Sequence, residues 1–318
     1  MVTMQLYLAE GMWFPMLTRR TDLAVEAAAL TKMEQETPVP EGVRLSEEKR
    51  EGCPVTRVEI LDGRGEAALG KPAGTYVTVD LSGLVKREEN AFSRSCRALA
   101  GELRHLLHLA GVEEKAPALV VGLGNRAITP DAVGPGAADH TLVTRHLIHQ
   151  APEHFGSFRP VAALAAGVLG TTGVESGELA QAVAGKVRPG CVIAVDALAS
   201  RSLDRICSTV QLSDTGIVPG SGVGNHRFAL NQETLGVPVI AVGVPTVVDG
   251  ATLALDILEE AGRDDLDPAA LRGVGGSLMV TPRDIDQRVK DMAKVIGFAI
   301  DLALQPHLTV EDVELFLS

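Results

Sequence analysis

The chain has 318 residues, of which 46% are hydrophobic, 22% charged and only 3% aromatic, with 33 glycines and a formal net charge of −12. That length and balance describe a globular chain able to bury a large core, and the acidic surplus excludes direct nucleic-acid binding, which needs clustered Lys and Arg. No stretch offers about 18 uninterrupted apolar residues, so no membrane span is expected.

The apolar start, with Trp13 and Phe14, lacks a basic leading region and is interrupted by Glu10 and Pro15. Secretion is therefore not expected. Leu23, Val25, Ala27, Leu30 and Met33 predict a short helix over about 22–36, ended ahead of Pro38 and Pro40. Residues 55–60 and 74–80 alternate apolar with polar side chains, which predicts a small β-rich lobe near 42–82 or strands added to the edge of a main sheet.

From Glu89 to Leu109, Phe92, Cys96, Leu99, Leu103, Leu106 and Leu107 recur at helical spacing. Beyond this helix the pattern alternates: strand 118–124, a helix within about 136–149, strand 161–169, helix 175–186 and strand 191–196. A Gly-rich connection near 213–236 is long enough to suggest a functional loop. A strand at 237–243, a helix ending near Gly262 and a final helix from about Asp284 to Gln305 follow. The low aromatic content and near-continuous apolar strands predict an α/β fold: a doubly wound, mostly parallel sheet with helices on both faces.

Two aspartates stand where the strands of such a sheet run out. Asp131 follows strand 118–124 across a short loop, and Asp196 closes the apolar run 191–195. Ligands of open parallel sheets sit at the carboxyl ends of the strands, so both carboxylates are expected in one crevice, where they can divide acid and base work. Thr129, Pro130 and Asp131 also have the composition of a helix entrance, which would make Asp131 structural. Gly134, Pro135 and Gly136 are expected to break that helix again.

Other chemistries find less support. Cys53, Cys96, Cys191 and Cys207 form no zinc spacing and are expected as free buried thiols in a reducing, cytoplasmic compartment. Neither the dinucleotide fingerprint nor a P-loop is present, and no serine sits in a nucleophile elbow. The histidines, His105 and His108 among them, lack a metal-ligand motif, and only His226 in the Gly-rich loop is an attractive participant.

Taken together, residues 20–26, 87–92, 122–135, 170–176, 195–199, 214–216, 219–225, 243–249 and 278–286 resemble the germination protease family of spore-forming bacteria, over nearly the whole chain. The resemblance implies an endopeptidase of the spore core that degrades small acid-soluble spore proteins, folded like hydrogenase maturation peptidases, tetrameric, and made as a zymogen that removes its own propeptide. It places the two catalytic aspartates on Asp131 and Asp196.

By the same resemblance Asp22–Leu23 is the self-processing bond, because residues 21–26 look like the acidic-hydrophobic-Ala sequence that the family cuts. Residues 1–22 would then be propeptide and 23–318 a single α/β peptidase domain. Val218 departs from the family, standing where other members carry His before Pro-Gly.

The expected chemistry is peptide hydrolysis with one aspartate ionised to activate water and the other protonated. Gly124, Asn125, Gly222, Gly224, Asn225 and His226 are candidates for a substrate or oxyanion loop. No cofactor is required, with a metal-assisted version of the same protease, or a non-enzymatic small-ligand-binding protein, as alternatives.

Overall fold

Four apolar segments, near-continuous in Val, Ile, Leu and Ala, become parallel strands: β4 (Ala118–Leu123), β6 (Cys191–Ser200) and β8 (Val239–Asp249), buried on both faces, and β5 (Val161–Gly167), half-buried at the end of the sheet. They belong to a larger sheet with β1 (Val43–Arg50), β2 (Cys53–Ile60), β3 (Gly74–Asp80), β7 (Thr209–Ser213) and β9 (Met279–Val280). The computed structural model describes residues 21–35, 39–219, 228–262 and 278–318.

Among these residues the strand order is β1-β2-β3-β7-β8-β6-β4-β5, with β9 paired to the end of β8. Only β5-β4-β6-β8 is parallel; every other pairing is antiparallel. The sheet is therefore mixed rather than mostly parallel, and the β-rich lobe is an edge extension of it. Strands β1, β7 and β9 are not among those expected from the sequence, and β7 joins the two halves.

The helices are α1 (Ala24–Gln35), α2 (Gly63–Leu69), α3 (Ala91–Leu109), α4 (Val133–Asp139), α5 (Ser176–Val187), α6 (Gly250–Glu260), α7 (Ile285–Leu304) and α8 (Val310–Leu317), with shorter turns between them. One face of the sheet, through Val120, Ile193, Val195 and Val242, packs on Leu99 and Leu103 of α3, Val133 and Ala137 of α4, and Val295 and Phe298 of α7. The alternate residues Leu119, Val121, Val192 and Ala194 face Ala180 and Ala184 of α5. Burial of alternate residues on opposite sides is what a two-covered sheet demands.

The lobe has a small core of its own, in which Ala24 and Ala27 of α1 and Leu69 of α2 meet Val43, Val58, Ile60 and Tyr76. Glu102 of α3, fully buried, reaches the lobe as an ion pair with Arg50 at 2.5 Å and a second with Arg57. The outermost strand β1 carries Glu47, Glu48, Lys49 and Arg50, charges that discourage pairing of the open edge with another chain. All four cysteines are free and buried, and no described helix is long and apolar enough to cross a membrane.

The expectation that Gly134, Pro135 and Gly136 break a helix is corrected by the structure. All three lie inside α4, and the helix predicted within 136–149 is instead α4 followed by a single turn at Leu147–Gln150. Pro135 stands in the first turn, where its missing N–H costs nothing.

Asp301 of α7 is 1% exposed; its Oδ1 accepts from the Leu142 amide at 2.8 Å, while Oδ2 has no hydrogen-bond partner. Burial raises its pKa well above the usual carboxylate value, against a smaller opposing effect of that amide. A raised folded-state pKa contributes stability below the unfolded pKa that is lost as pH rises through the folded one. Asp301→Asn is accordingly expected to stabilise the fold by about 1 kcal/mol or more at alkaline pH and by nothing in acid, read as Tm against pH. An equal Tm for both proteins at every pH would contradict this.

Candidate active site

Asp131 and Asp196 line one cavity of about 290 Å3, walled by Leu123, Gly124, Ile128, Pro130, Val168, Ser176, Leu198, Val218, Pro219, Thr246 and Met279, among others. Asp22 is a third carboxylate on its wall. The cavity lies at the carboxyl ends of β4 and β6, where open α/β sheets hold their ligands.

Asp131 arrives by a sharp reversal of the chain. Gly124 leaves β4 at φ +111°, a conformation that disfavours a side chain, and a Cβ there would meet the Asp131 carbonyl at 2.1 Å. Residues Thr129–Asp131 then make a 3-10 turn with Pro130 near its start, leading into α4. The expected helix entrance is therefore present in this tighter form, and it carries Asp131 to the cavity. The Asn125 amide donates to Asp131 Oδ2 at 2.8 Å, and the Asn125 side chain accepts from the Ala127 amide at 3.0 Å. Asn125, a candidate for the oxyanion loop, thus directs its backbone N–H at the Asp131 carboxylate.

Helix α4 fits against the strand ends because Gly134 has no side chain. A Cβ at Gly134 would stand 2.2 Å from the Leu123 carbonyl oxygen and 2.4 Å from that of Val195. This contact between helix and strand backbones fixes how far Asp131 lies above the strands.

Asp196 is 5% exposed, and its Oδ1 accepts from the Ala197 amide at 2.9 Å. The sequence reading ends its strand at Asp196, whereas β6 runs on to Ser200. Asp196 therefore points out of a strand interior, on the side of Val192 and Ala194 by alternation. Across the sheet it pairs with Gly243 of β8, which pairs in turn with Gln211 of β7.

The segment ahead of α1 is built into the same place. The Asp22 amide donates to the Ala199 carbonyl at 2.9 Å, and the Ala199 amide donates to Asp22 Oδ2 at 2.8 Å. Leu23 is wholly buried. Glu26, also buried, accepts from the Arg201 amide at 2.7 Å and the Ser202 amide at 3.2 Å, and pairs with Arg205 at 3.3 Å.

The Gly-rich connection reaches the cavity through Val218 and Pro219. Gly222, Gly224, Asn225 and His226 lie outside the described residues. Among the described residues no three His, Cys, Asp or Glu side chains stand close enough together to hold a metal ion, so these side chains alone do not compose a metal site.

The germination protease family model matches residues 19–260. The chain belongs to the germination protease family. It is 44% identical to the germination protease of Caldanaerobacter subterraneus subsp. tengcongensis, over 94% of this chain and 98% of the relative. It is 41% identical to that of Clostridium perfringens strain ATCC 13124, over 94% and 99%, and 39% identical to that of Bacillus cytotoxicus, over 91% and 94%. The chain is thus a peptidase, and membership of the germination protease family retires the reading as a non-enzymatic binding protein. Two residues of the adjoining cavity, which also touches Asp22, went unnoticed in the sequence, Lys71 and Gln211. Each is a lone polar residue with no motif around it, and only the β3–β7 pairing brings them together.

Proposed function

We propose that the chain is an endopeptidase that starts the degradation of small acid-soluble spore proteins, and that it first cuts its own Asp22–Leu23 bond. The observation that carries this reading is the cavity wall itself: Asp131, Asp196 and Asp22 share it. Two carboxylates on one cavity suit hydrolysis in which one is ionised and takes a proton from water while the other, protonated, serves the carbonyl or the leaving nitrogen.

The acidic-hydrophobic-Ala segment of this chain is held by its neighbours much as a bound peptide would be, through main-chain pairing with Ala199 and amide donors on Glu26. That supports reading residues 21–26 as a substrate sequence carried in cis, and residues 1–22 as propeptide. Tetrameric assembly, residence in the spore core and a fold akin to hydrogenase maturation peptidases belong to the same proposal; the parallel half of the sheet, with two carboxylates on the cavity beside it, supports the last.

Intact mass and N-terminal sequencing after incubation at mildly acidic and neutral pH test it. The wild-type chain is expected to yield a product beginning at Leu23 and then to cut a peptide carrying the same acidic-hydrophobic-Ala sequence. Exhaustive chelation is expected to leave both rates unchanged, since no metal enters the two-aspartate scheme. A chain that stays intact under every condition and ignores the peptide would sink the proposal, and activity lost on chelation and restored by one metal would replace the two-aspartate mechanism.

A further inference from the structure

Asp22 stands between two cavities. On one side is the cavity of Asp131 and Asp196; on the other is a second, of about 380 Å3, lined by Lys71 and Gln211 and sharing Asp22, Leu198 and Val218 with the first. The carbonyl oxygen of Asp22 accepts from Lys71 Nζ at 2.8 Å and from Gln211 Nε2 at 3.2 Å. Gln211 also accepts the Ala24 amide on its Oε1 at 2.7 Å, so its single carboxamide spans Leu23 from the Asp22 carbonyl before it to the Ala24 amide after it.

The sheet register explains why these groups converge. Asp196, Gly243 and Gln211 form one row across β6, β8 and β7, and residues in such a row share a face. Two strand spacings put Asp196 and Gln211 about 9–10 Å apart. The residue between them is glycine, and the Leu198 side chain lies over it: a Cβ there would stand 2.2 Å from Leu198 Cδ1.

We infer that Lys71 and Gln211 are catalytic residues of self-processing, holding the oxygen of the Asp22 carbonyl while the aspartates deliver water to its carbon. The inference rests on the reading of Asp22–Leu23 as the processed bond. Water adds its oxygen to the Asp22 carbonyl carbon, and the carbon–nitrogen bond to Leu23 breaks. One water proton passes through the aspartate pair to the leaving nitrogen and the second follows from the new carboxylic acid, so that the products are a carboxylate on Asp22 and an ammonium on Leu23.

Lys71 and Gln211 end the cycle unchanged. Their hydrogen bonds strengthen as negative charge gathers on the oxygen, which is the condition for donors to accelerate a reaction rather than merely bind its substrate. Burial also lowers the Lys71 pKa, against the pull of Asp22 and Glu26, and so makes its ammonium a stronger donor.

Single-turnover release of the N-terminal segment, followed by intact mass in the full chain, tests the inference, with Tm recorded alongside. Lys71→Met keeps the aliphatic stem and removes the charge; it is expected to slow release by about 10²–10³-fold, the usual effect of losing one oxyanion donor. Lys71→Arg is expected to restore part of that rate, and Gln211→Leu to cost roughly tenfold or more. If Lys71→Met releases the segment within threefold of wild type, or if the rates of all three variants fall only in proportion to their Tm, the inference is overturned while the processing reading stands. If wild type itself never cuts at Asp22–Leu23, both fall together.

Discussion

Asp131→Asn and Asp196→Asn are each expected to slow release of the segment ahead of Leu23, and cleavage of an added peptide, by roughly 10³-fold or more. In both variants the shape of the side chain survives. The carboxamide oxygen can still accept the Asn125 amide at position 131 and the Ala197 amide at position 196. What disappears is the capacity to exchange a proton at that atom. Stability is expected to change by less than about 1 kcal/mol, because an isosteric exchange leaves no cavity and no orphaned backbone donor. Activity and Tm therefore separate the chemical role of each aspartate from the helix-entrance role that the composition around Asp131 also suggests. Either variant cutting at a tenth of the wild-type rate or faster would remove that aspartate from the mechanism.

Gly134→Ala is expected to damage both stability and activity. The new methyl would lie 2.2 Å from the Leu123 oxygen and 2.4 Å from the Val195 oxygen, both backbone atoms of central strands that cannot swing aside as a side chain can. Overpacking of this kind costs about 3 kcal/mol, at the upper end of the usual range, and the structure can answer only by pushing α4 off the strands. Asp131 precedes α4 directly, so it moves with the helix, and a displacement of about 1 Å at a reacting group costs on the order of 10²-fold in rate. Urea unfolding and peptide cleavage on one preparation measure both effects. Gly185→Ala is the control: it is exposed in α5 with nothing within 4 Å of the added methyl, and is expected to gain about 0.5–1 kcal/mol. Equal behaviour of the two variants would contradict the packing argument.

The parts of the fold legible in the sequence are those whose local pattern agrees with their final surroundings. The runs around 118–123 and 191–195 are apolar because they are covered on both faces, and α3 shows its stripe because it is covered on one. Strand β1 escapes such reading, since an outermost strand with Glu and Lys along it carries no alternation to detect. Strand β7 escapes because its five residues precede a glycine-rich stretch that draws attention to itself.

Gly134, Pro135 and Gly136 were misleading for a related reason. Glycine and proline lower the propensity of an isolated helix, whereas here Gly134 must pass close to Leu123 and Val195 and Gly136 close to Ala293, and neither has room for a Cβ. At the site, Asp131 and Asp196 are legible from their places after apolar strands. Lys71 and Gln211 lie far apart in sequence and nothing local marks either one; their meaning comes from strand pairing.

The unbroken sheet sets the terms on which this molecule can be regulated. The aspartates rise from the parallel half and the groups on the Asp22 carbonyl from the antiparallel half, yet β3, β7, β8 and β6 are neighbours in one hydrogen-bonded ladder. Such a ladder leaves no hinge across the site, so closure of one half upon the other is not available as an on-off device. Control has to be exerted at the scale of a single strand of chain: how the segment around Asp22 lies in its trough, and whether it has been severed.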